Sequence, residues 1–101
     1  MNKVFLYVEF QTSCDFAQVD AAPINQKMKE FPGLVSKTWL SGVNNQSLGG
    51  FYEFDSVENA NHYVENFLTP AAATYGSLTV KMFNGDVVAD ASKGMDSPFY
   101  A

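Results

Sequence analysis

The chain contains no arginine. Its six basic side chains are all lysines, set against eleven carboxylates, for a net charge of -5 over 101 residues. Without guanidinium forks or a basic run there is nothing to track a phosphate backbone, and no nucleic-acid partner is expected. Cysteine occurs once, as Cys14, so an intramolecular disulfide is impossible. With no histidine or second cysteine at ligand spacing, Cys14 reads as a small, partly buried apolar residue, a nucleophile being the alternative. Histidine also occurs once, as His62, and a metal site would have to draw nearly all its ligands from carboxylates. No apolar run approaches membrane-spanning length. The chain passes from Met1-Asn2-Lys3 straight into an alternating segment, without the apolar region of a signal peptide. The expectation is a soluble, cytoplasmic protein with no membrane partner.

What is abundant is apolar: 47% of residues are hydrophobic and 15% aromatic, while only 17% are charged. That composition indicates one globular domain spanning residues 1–101, with more apolar surface than a lone small domain easily hides, and so hints at self-association.

The bulky side chains concentrate between Phe31 and Asp55. Pro32-Gly33 is a turn pair, and two apolar, aromatic segments follow, separated by the polar cluster Asn44-Asn45-Gln46-Ser47. This pattern is a β-hairpin, with Trp39 on one strand and Gly49-Gly50-Phe51-Tyr52-Glu53-Phe54 on the other. Gly49-Gly50 lacks the helix and lysine of a phosphate loop; it suggests a bulge, or room for a neighbouring ring or ligand.

Upstream, Val4, Leu6, Val8 and Phe10 alternate with Phe5, Tyr7, Glu9 and Gln11, the period of a strand apolar on both faces. A helical pattern then runs from about Asp15 to Phe31, with Ala17, Ala21, Ile24, Met28 and Phe31 on one stripe. Pro23 predicts either a kink there or a short first turn followed by the main helix from Pro23. After the hairpin, Asp55-Ser56-Val57-Glu58 has the form of a capping box with Asp55 as N-cap. A second helix to about Leu68 follows, its inward stripe formed by Val57, Ala60, Val64, Phe67 and Leu68. Thr69-Pro70 restarts a short helical turn that ends before Gly76. Leu78, Val80 and Met82 alternate as a fourth strand, Asp86 opens a short amphipathic stretch, and Asp96 to Tyr100 is left as a tail.

The order strand, helix, strand, strand, helix, strand is the split βαβ pattern: an α+β, ferredoxin-like βαββαβ antiparallel sheet with helices on one face. Two helices cover only one face, yet both faces carry apolar residues. A homodimer packed sheet to sheet, a dimeric α+β barrel, is therefore expected.

Pro32-Gly33 followed by Lys37-Thr38-Trp39, then Gly49-Gly50-Phe51-Tyr52-Glu53-Phe54 and a helix holding Ala60 and Tyr63, resembles the YdhR-type monooxygenase family. That family lies within the dimeric α+β barrel superfamily that includes the antibiotic-biosynthesis monooxygenases. The resemblance extends through the tail segment from Ala91 to Pro98. It implies a homodimer with a small apolar pocket between sheet and helices, in which a small aromatic or polyketide-like substrate is oxygenated with no cofactor. A phenol or anthrone held in a dry cavity would lose a proton and reduce oxygen directly. The alternatives are a non-catalytic dimeric small-ligand-binding protein, or an isomerase or cyclase on the same scaffold. This chain departs from the best-studied members in having no arginine to steady an anionic intermediate.

The candidate substrate-binding residues are Trp39, Lys37, Tyr52, Phe54, Tyr63, Tyr7 and Met28; no catalytic residue or metal ligand is assigned. Lys37 shares a strand face with Trp39 and could supply a cation, or else be solvated at the sheet edge. Trp39 could be a substrate platform or core. Tyr63 flanks the inward stripe and could turn its hydroxyl to the pocket. His62 falls almost opposite that stripe and reads as a surface residue, although haem-binding relatives use a histidine from the second helix.

Overall fold

The computed structural model describes residues 2–100. Four strands, β1 (Val4–Gln11), β2 (Leu34–Ser41), β3 (Ser47–Phe54) and β4 (Ser77–Asn84), form one antiparallel sheet in the order β2-β3-β1-β4. Placing β1 beside both β3 and β4 is what the split βαβ arrangement requires, and the ferredoxin-like fold is the one expected.

Register assigns the faces. Val4, Leu6, Val8 and Phe10 of β1 pair with Phe54, Tyr52, Gly50 and Leu48 of β3, so both sets point to one side. This is the side the helices cover, and the side chains of these residues, Gly50 having none, are buried there with Met28, Ala60, Tyr63 and Leu68. In β2 the alternation is broken by an irregularity between Leu34 and Ser36. The extra residue, Val35, is left 58% exposed. It lets Leu34 share a face with Lys37 and Trp39, although both lie an odd number of positions further along the strand.

The first helical region divides as one of the two Pro23 alternatives had it, but the main helix begins two residues before Pro23. A single turn at Phe16–Gln18 precedes α1 (Ala21–Lys29), whose third residue is Pro23, in the first turn where backbone donors have no intrahelical partner. Gly33 then turns the chain into β2 with φ +81, a conformation that side chains with a Cβ rarely adopt.

The N-cap of the next helix is Ser56 rather than Asp55. The Ser56 hydroxyl accepts from the Asn59 backbone N–H at 3.1 Å, while the Asp55 carboxylate accepts from the Asn59 side-chain amide at 2.8 Å. Ser56 is extended (φ -158, ψ 158), which a cap needs, and Glu58 takes no part. The helix does not stop at Leu68. α2 (Val57–Tyr63) runs through a π-helical turn, Val64–Leu68, into α3 (Thr69–Tyr75), and the junction residues Val64, Leu68 and Thr69 all keep right-handed helical angles. The Thr69 N–H bonds the carbonyl of Val64, five residues back. Pro70 explains the widened turn: it has no N–H to give, and its ring crowds the carbonyl one turn earlier. Pro70 thus bends the hydrogen-bond ladder without ending the helix.

The other face of the sheet is not bare. Phe5 is only 7% exposed, although it lies opposite the helices. After α4 (Ala89–Lys93) a final turn, Pro98–Tyr100, brings Phe99 to 5.7 Å and Tyr100 to 6.0 Å from its ring, centroid to centroid, with Phe51 at 5.0 Å. Lys3 ties the tail down, its ammonium donating to the Phe99 carbonyl at 2.6 Å and to Glu53 at 2.9 Å. The segment expected as a loose tail is therefore a strap over one end of the open face. Around it that face mixes Leu40 and Phe83 with Thr38, Thr79 and Lys81. No helix of the described residues is long and apolar enough to cross a membrane.

Candidate functional site

Between the sheet and the helices lies a cavity of about 190 Å³. Phe10, Leu48, Tyr52, Lys37 and Trp39 of the sheet form its floor. Ile24 and Lys27 of α1 stand on one side; Phe67 and Leu68 of the π turn, with Ala71 and Tyr75 of α3, stand on the other. π-helical turns are rare and concentrate at functional sites, and this one sets two side chains into the cavity wall.

Lys37 is the unusual element. Its ammonium lies 3.3 Å from the centroid of the Trp39 ring and 5.0 Å from that of Tyr52, within reach of the Met28 sulfur at 3.4 Å. Among the described residues it makes no ion pair; the one salt bridge present joins Lys3 to Glu53. Burial without a carboxylate disfavours the charged amine and lowers its pKa to about 7. The π faces of Trp39 and Tyr52, with a soft thioether, are what remains to hold the proton. Lys37 can therefore exist in this cavity either as a neutral base or as a cation.

Lys37 is also the wall shared with a second cavity of about 210 Å³ at the edge of β2, lined by Asn25, Met28 and Leu34 among others. Trp39 is held from outside: its indole N–H donates to Asn25 Oδ1 at 3.0 Å, and Phe16 meets its ring edge-on at 5.4 Å.

Behind the floor, the Tyr63 hydroxyl donates to the Tyr52 hydroxyl at 2.9 Å, and Tyr52 in turn points at Met28 Sδ, 3.8 Å away. Both phenols are buried. Burial pushes Tyr52 up to about 12 and Tyr63 further in the same direction, so both stay protonated as hydrogen-bond donors. The chain Tyr63, Tyr52, Met28, Lys37 links the core to the amine.

Of the residues proposed from the sequence, Lys37, Trp39 and Tyr52 come together on the cavity floor. Met28 touches Lys37 and Tyr52 from the adjoining cavity. Phe54 and Tyr63 lie one layer deeper, packed on Tyr52 at 6.2 and 5.1 Å. Tyr7 does not join them. It pairs with Phe51 and Lys81 on the open face, because successive strand residues point to opposite sides. There its hydroxyl donates to Glu9 at 2.7 Å, a bond that raises the Tyr7 pKa and lowers that of Glu9. His62 is exposed, beside Asn66 and away from the cavity. Phe10, Leu48, Ala71 and Tyr75 are not assigned to the site from the sequence, nor are Ile24, Phe67 and Leu68, although those three sit on the inward stripes. Among the described residues, no three His, Cys, Asp or Glu side chains converge in a way that could hold a metal.

The fold is shared with several solved structures. A mutant of SnoaB, a cofactor-independent oxygenase from Streptomyces nogalater, superposes with TM-score 0.61 at 15% identity, covering 83% of this chain and 93% of that one. A monooxygenase from ActVA-Orf6 of Streptomyces coelicolor, in complex with Nanaomycin D, gives 0.60 at 12% identity over 82% of this chain and 86% of that one. NE2512 of Nitrosomonas europaea, a protein of unknown function, gives 0.62 at 18% identity over 82% and 88%. At these identities the likeness is one of fold. No curated protein matches the chain. The family model described as "Putative mono-oxygenase ydhR" matches residues 5–97, which include every residue on the cavity floor and walls. The chain thus belongs to the YdhR mono-oxygenase family.

Proposed function

We propose that the protein is a cofactor-independent monooxygenase whose substrate is a small phenolic or anthrone-like molecule bound over Trp39 and Tyr52. The observation that carries this reading is the amine of Lys37, which has no carboxylate partner among the described residues, set in a largely apolar cavity with its pKa near 7. A general base is most effective when its pKa lies close to the working pH. The cavity of about 190 Å³ is smaller than the roughly 300–1,000 Å³ usual for drug-sized ligands, which favours a substrate of few rings.

The chemistry follows from the amine. Neutral Lys37 takes a proton from the bound substrate, and the resulting ammonium rests on the faces of Trp39 and Tyr52 beside the new anion. In a dry cavity that ion pair attracts far more strongly than in water. The electron-rich carbanion passes one electron to O2, and the two radicals combine to form a C–O bond. The peroxide takes a proton back from Lys37; the second C–H proton is then removed as the O–O bond breaks, and the departing hydroxide takes up that proton as water, leaving a carbonyl where a methylene stood. The substrate supplies all four electrons that reduce O2, so the step needs no other reductant. Lys37 here takes the charge-balancing part that arginine would otherwise fill.

The reading includes a homodimer through the open sheet face. Its support is that Leu40, Phe83 and part of Tyr7 remain uncovered beside the strap, and sedimentation at micromolar concentration tests it. For the reaction, chelator-treated protein is given an anthrone, a naphthol and a catechol in an oxygen electrode. Uptake with quinone formation, rising with pH through an inflection near 7, is expected. A substrate that binds without any uptake would instead identify a non-catalytic ligand carrier, which the largely apolar walls would equally suit.

A further inference from the structure

We infer that Lys37 is also a carbonyl-capturing amine: the cavity it borders binds small aromatic aldehydes and ketones by forming an imine with Lys37 Nζ. The inference goes beyond the oxygenase reading and needs only the geometry of the cavity. Three observations carry it. Lys37 borders two cavities, of about 190 and 210 Å³, so a planar carbonyl compound has space beside it. No carboxylate holds Nζ among the described residues, and its hydrogen-bond partner there is the Met28 thioether at 3.4 Å, a weak acceptor that leaves the lone pair of the neutral amine free to attack a carbonyl. The aromatic floor of Trp39 and Tyr52 offers a stacking surface for the ring of the incoming molecule. A lysine desolvated among apolar walls is activated as a nucleophile, since it is neutral at a pH where surface lysines are charged.

The bond changes are simple. The Nζ lone pair adds to the carbonyl carbon, and a proton moves from nitrogen to the former carbonyl oxygen, giving a carbinolamine. That oxygen takes a second proton from water at the cavity mouth and leaves as water while the C=N bond forms, and the hydroxide left behind takes the remaining N–H proton, producing the imine. No oxidant or reductant is consumed. An oxygenated product bearing an aldehyde or ketone could thus be retained by the residue that formed it.

The test uses the intact protein at pH 7 with benzaldehyde and cyanoborohydride, which delivers hydride to the imine carbon and fixes the link as a secondary amine. Peptide mapping by mass spectrometry then reads the labelled lysine. Lys37 is expected to label roughly 10- to 100-fold faster than Lys3, Lys27, Lys29, Lys81 or Lys93, because its amine is desolvated and the aromatic floor beside it holds the aldehyde in place. Labelling should fall at pH 5 and disappear from the site in Lys37→Met. Label spread over the surface lysines with Lys37 unmodified would overturn the inference. Oxygen uptake is read separately: a Lys37 adduct without uptake refutes the oxygenase and leaves this proposal standing, and uptake without an adduct does the reverse.

Discussion

Lys37 fills the space that Gly50 leaves open: a Cβ built at residue 50 would lie 2.5 Å from the Cε of Lys37. Gly50 faces Trp39 directly across the β2–β3 ladder. The missing side chain is thus what allows the lysine to cross the strand and lay its ammonium over the indole. Gly50→Ala should displace Lys37 while sparing the fold, because the crowded atom belongs to a flexible side chain. The Tyr52 ring at 3.2 Å and the Thr38 carbonyl at 3.3 Å limit the adjustment, so a stability loss of about 1 kcal/mol is expected. Oxygen uptake and Lys37 labelling should each drop about tenfold, an effect of about 1.4 kcal/mol. Unchanged rates with a normal melting curve would show that the position of Lys37 does not matter.

The amine makes stability depend on pH. Its folded pKa, about 7, lies below the ordinary lysine value of about 10.4, so between those values the unfolded chain binds more protons than the folded one. Stability then rises with pH across that window, and the full penalty is present below pH 7. Discounting for solvent at the cavity mouth, Lys37→Met should stabilise the protein by about 1–3 kcal/mol at pH 6 and by little at pH 10.5. Urea midpoints of both proteins at the two pH values measure it. A difference that does not change with pH would mean that Lys37 keeps an ordinary pKa.

Trp39 separates site from core. It is half-buried on the edge strand, held by Asn25 and Phe16, and is not one of the fully buried core residues. Trp39→Ala should therefore keep the fold at a cost of about 2 kcal/mol while abolishing saturable binding of a naphthol, followed by calorimetry. Loss of cooperative unfolding would place the indole in the core instead.

Much of this arrangement is written in the side-chain periods. The alternation of Val4, Leu6, Val8 and Phe10 reports the helix-covered face, and Lys37 and Trp39 share that face because they lie two residues apart. Period alone does not say which of two apolar faces the helices choose, which is why Tyr7 looked equal to Tyr52. The extra residue at Val35 leaves no mark in composition. Ser56 and Asp55 are both good caps, and only the backbone angles decide between them. Pro70 reads as a stop in one dimension, whereas in three the helix absorbs it in a π turn that contributes Phe67 and Leu68 to the cavity. Tail residues Phe99 and Tyr100 have no period, and what they cover depends on where Lys3 and Phe5 lie.

The strap can be dissected at Phe99. Its ring meets Phe5 at 5.7 Å and Phe51 at 5.3 Å, while its carbonyl accepts from Lys3. Phe99→Ala removes the ring and leaves the backbone bond possible, so it isolates the apolar contribution. A ring that is only partly buried should be worth about 2 kcal/mol, less than the 3–5 kcal/mol of a core phenylalanine. Tyr100→Phe, which removes only the hydroxyl bond to the Gly85 carbonyl at 2.7 Å, should cost about 1 kcal/mol. Because Phe99→Ala uncovers Phe5 on the face proposed for the second subunit, it should also shift the monomer–dimer balance seen by sedimentation, whereas Tyr100→Phe should not. A urea midpoint for Phe99→Ala indistinguishable from that of the parent would mean that the tail merely rests on the sheet.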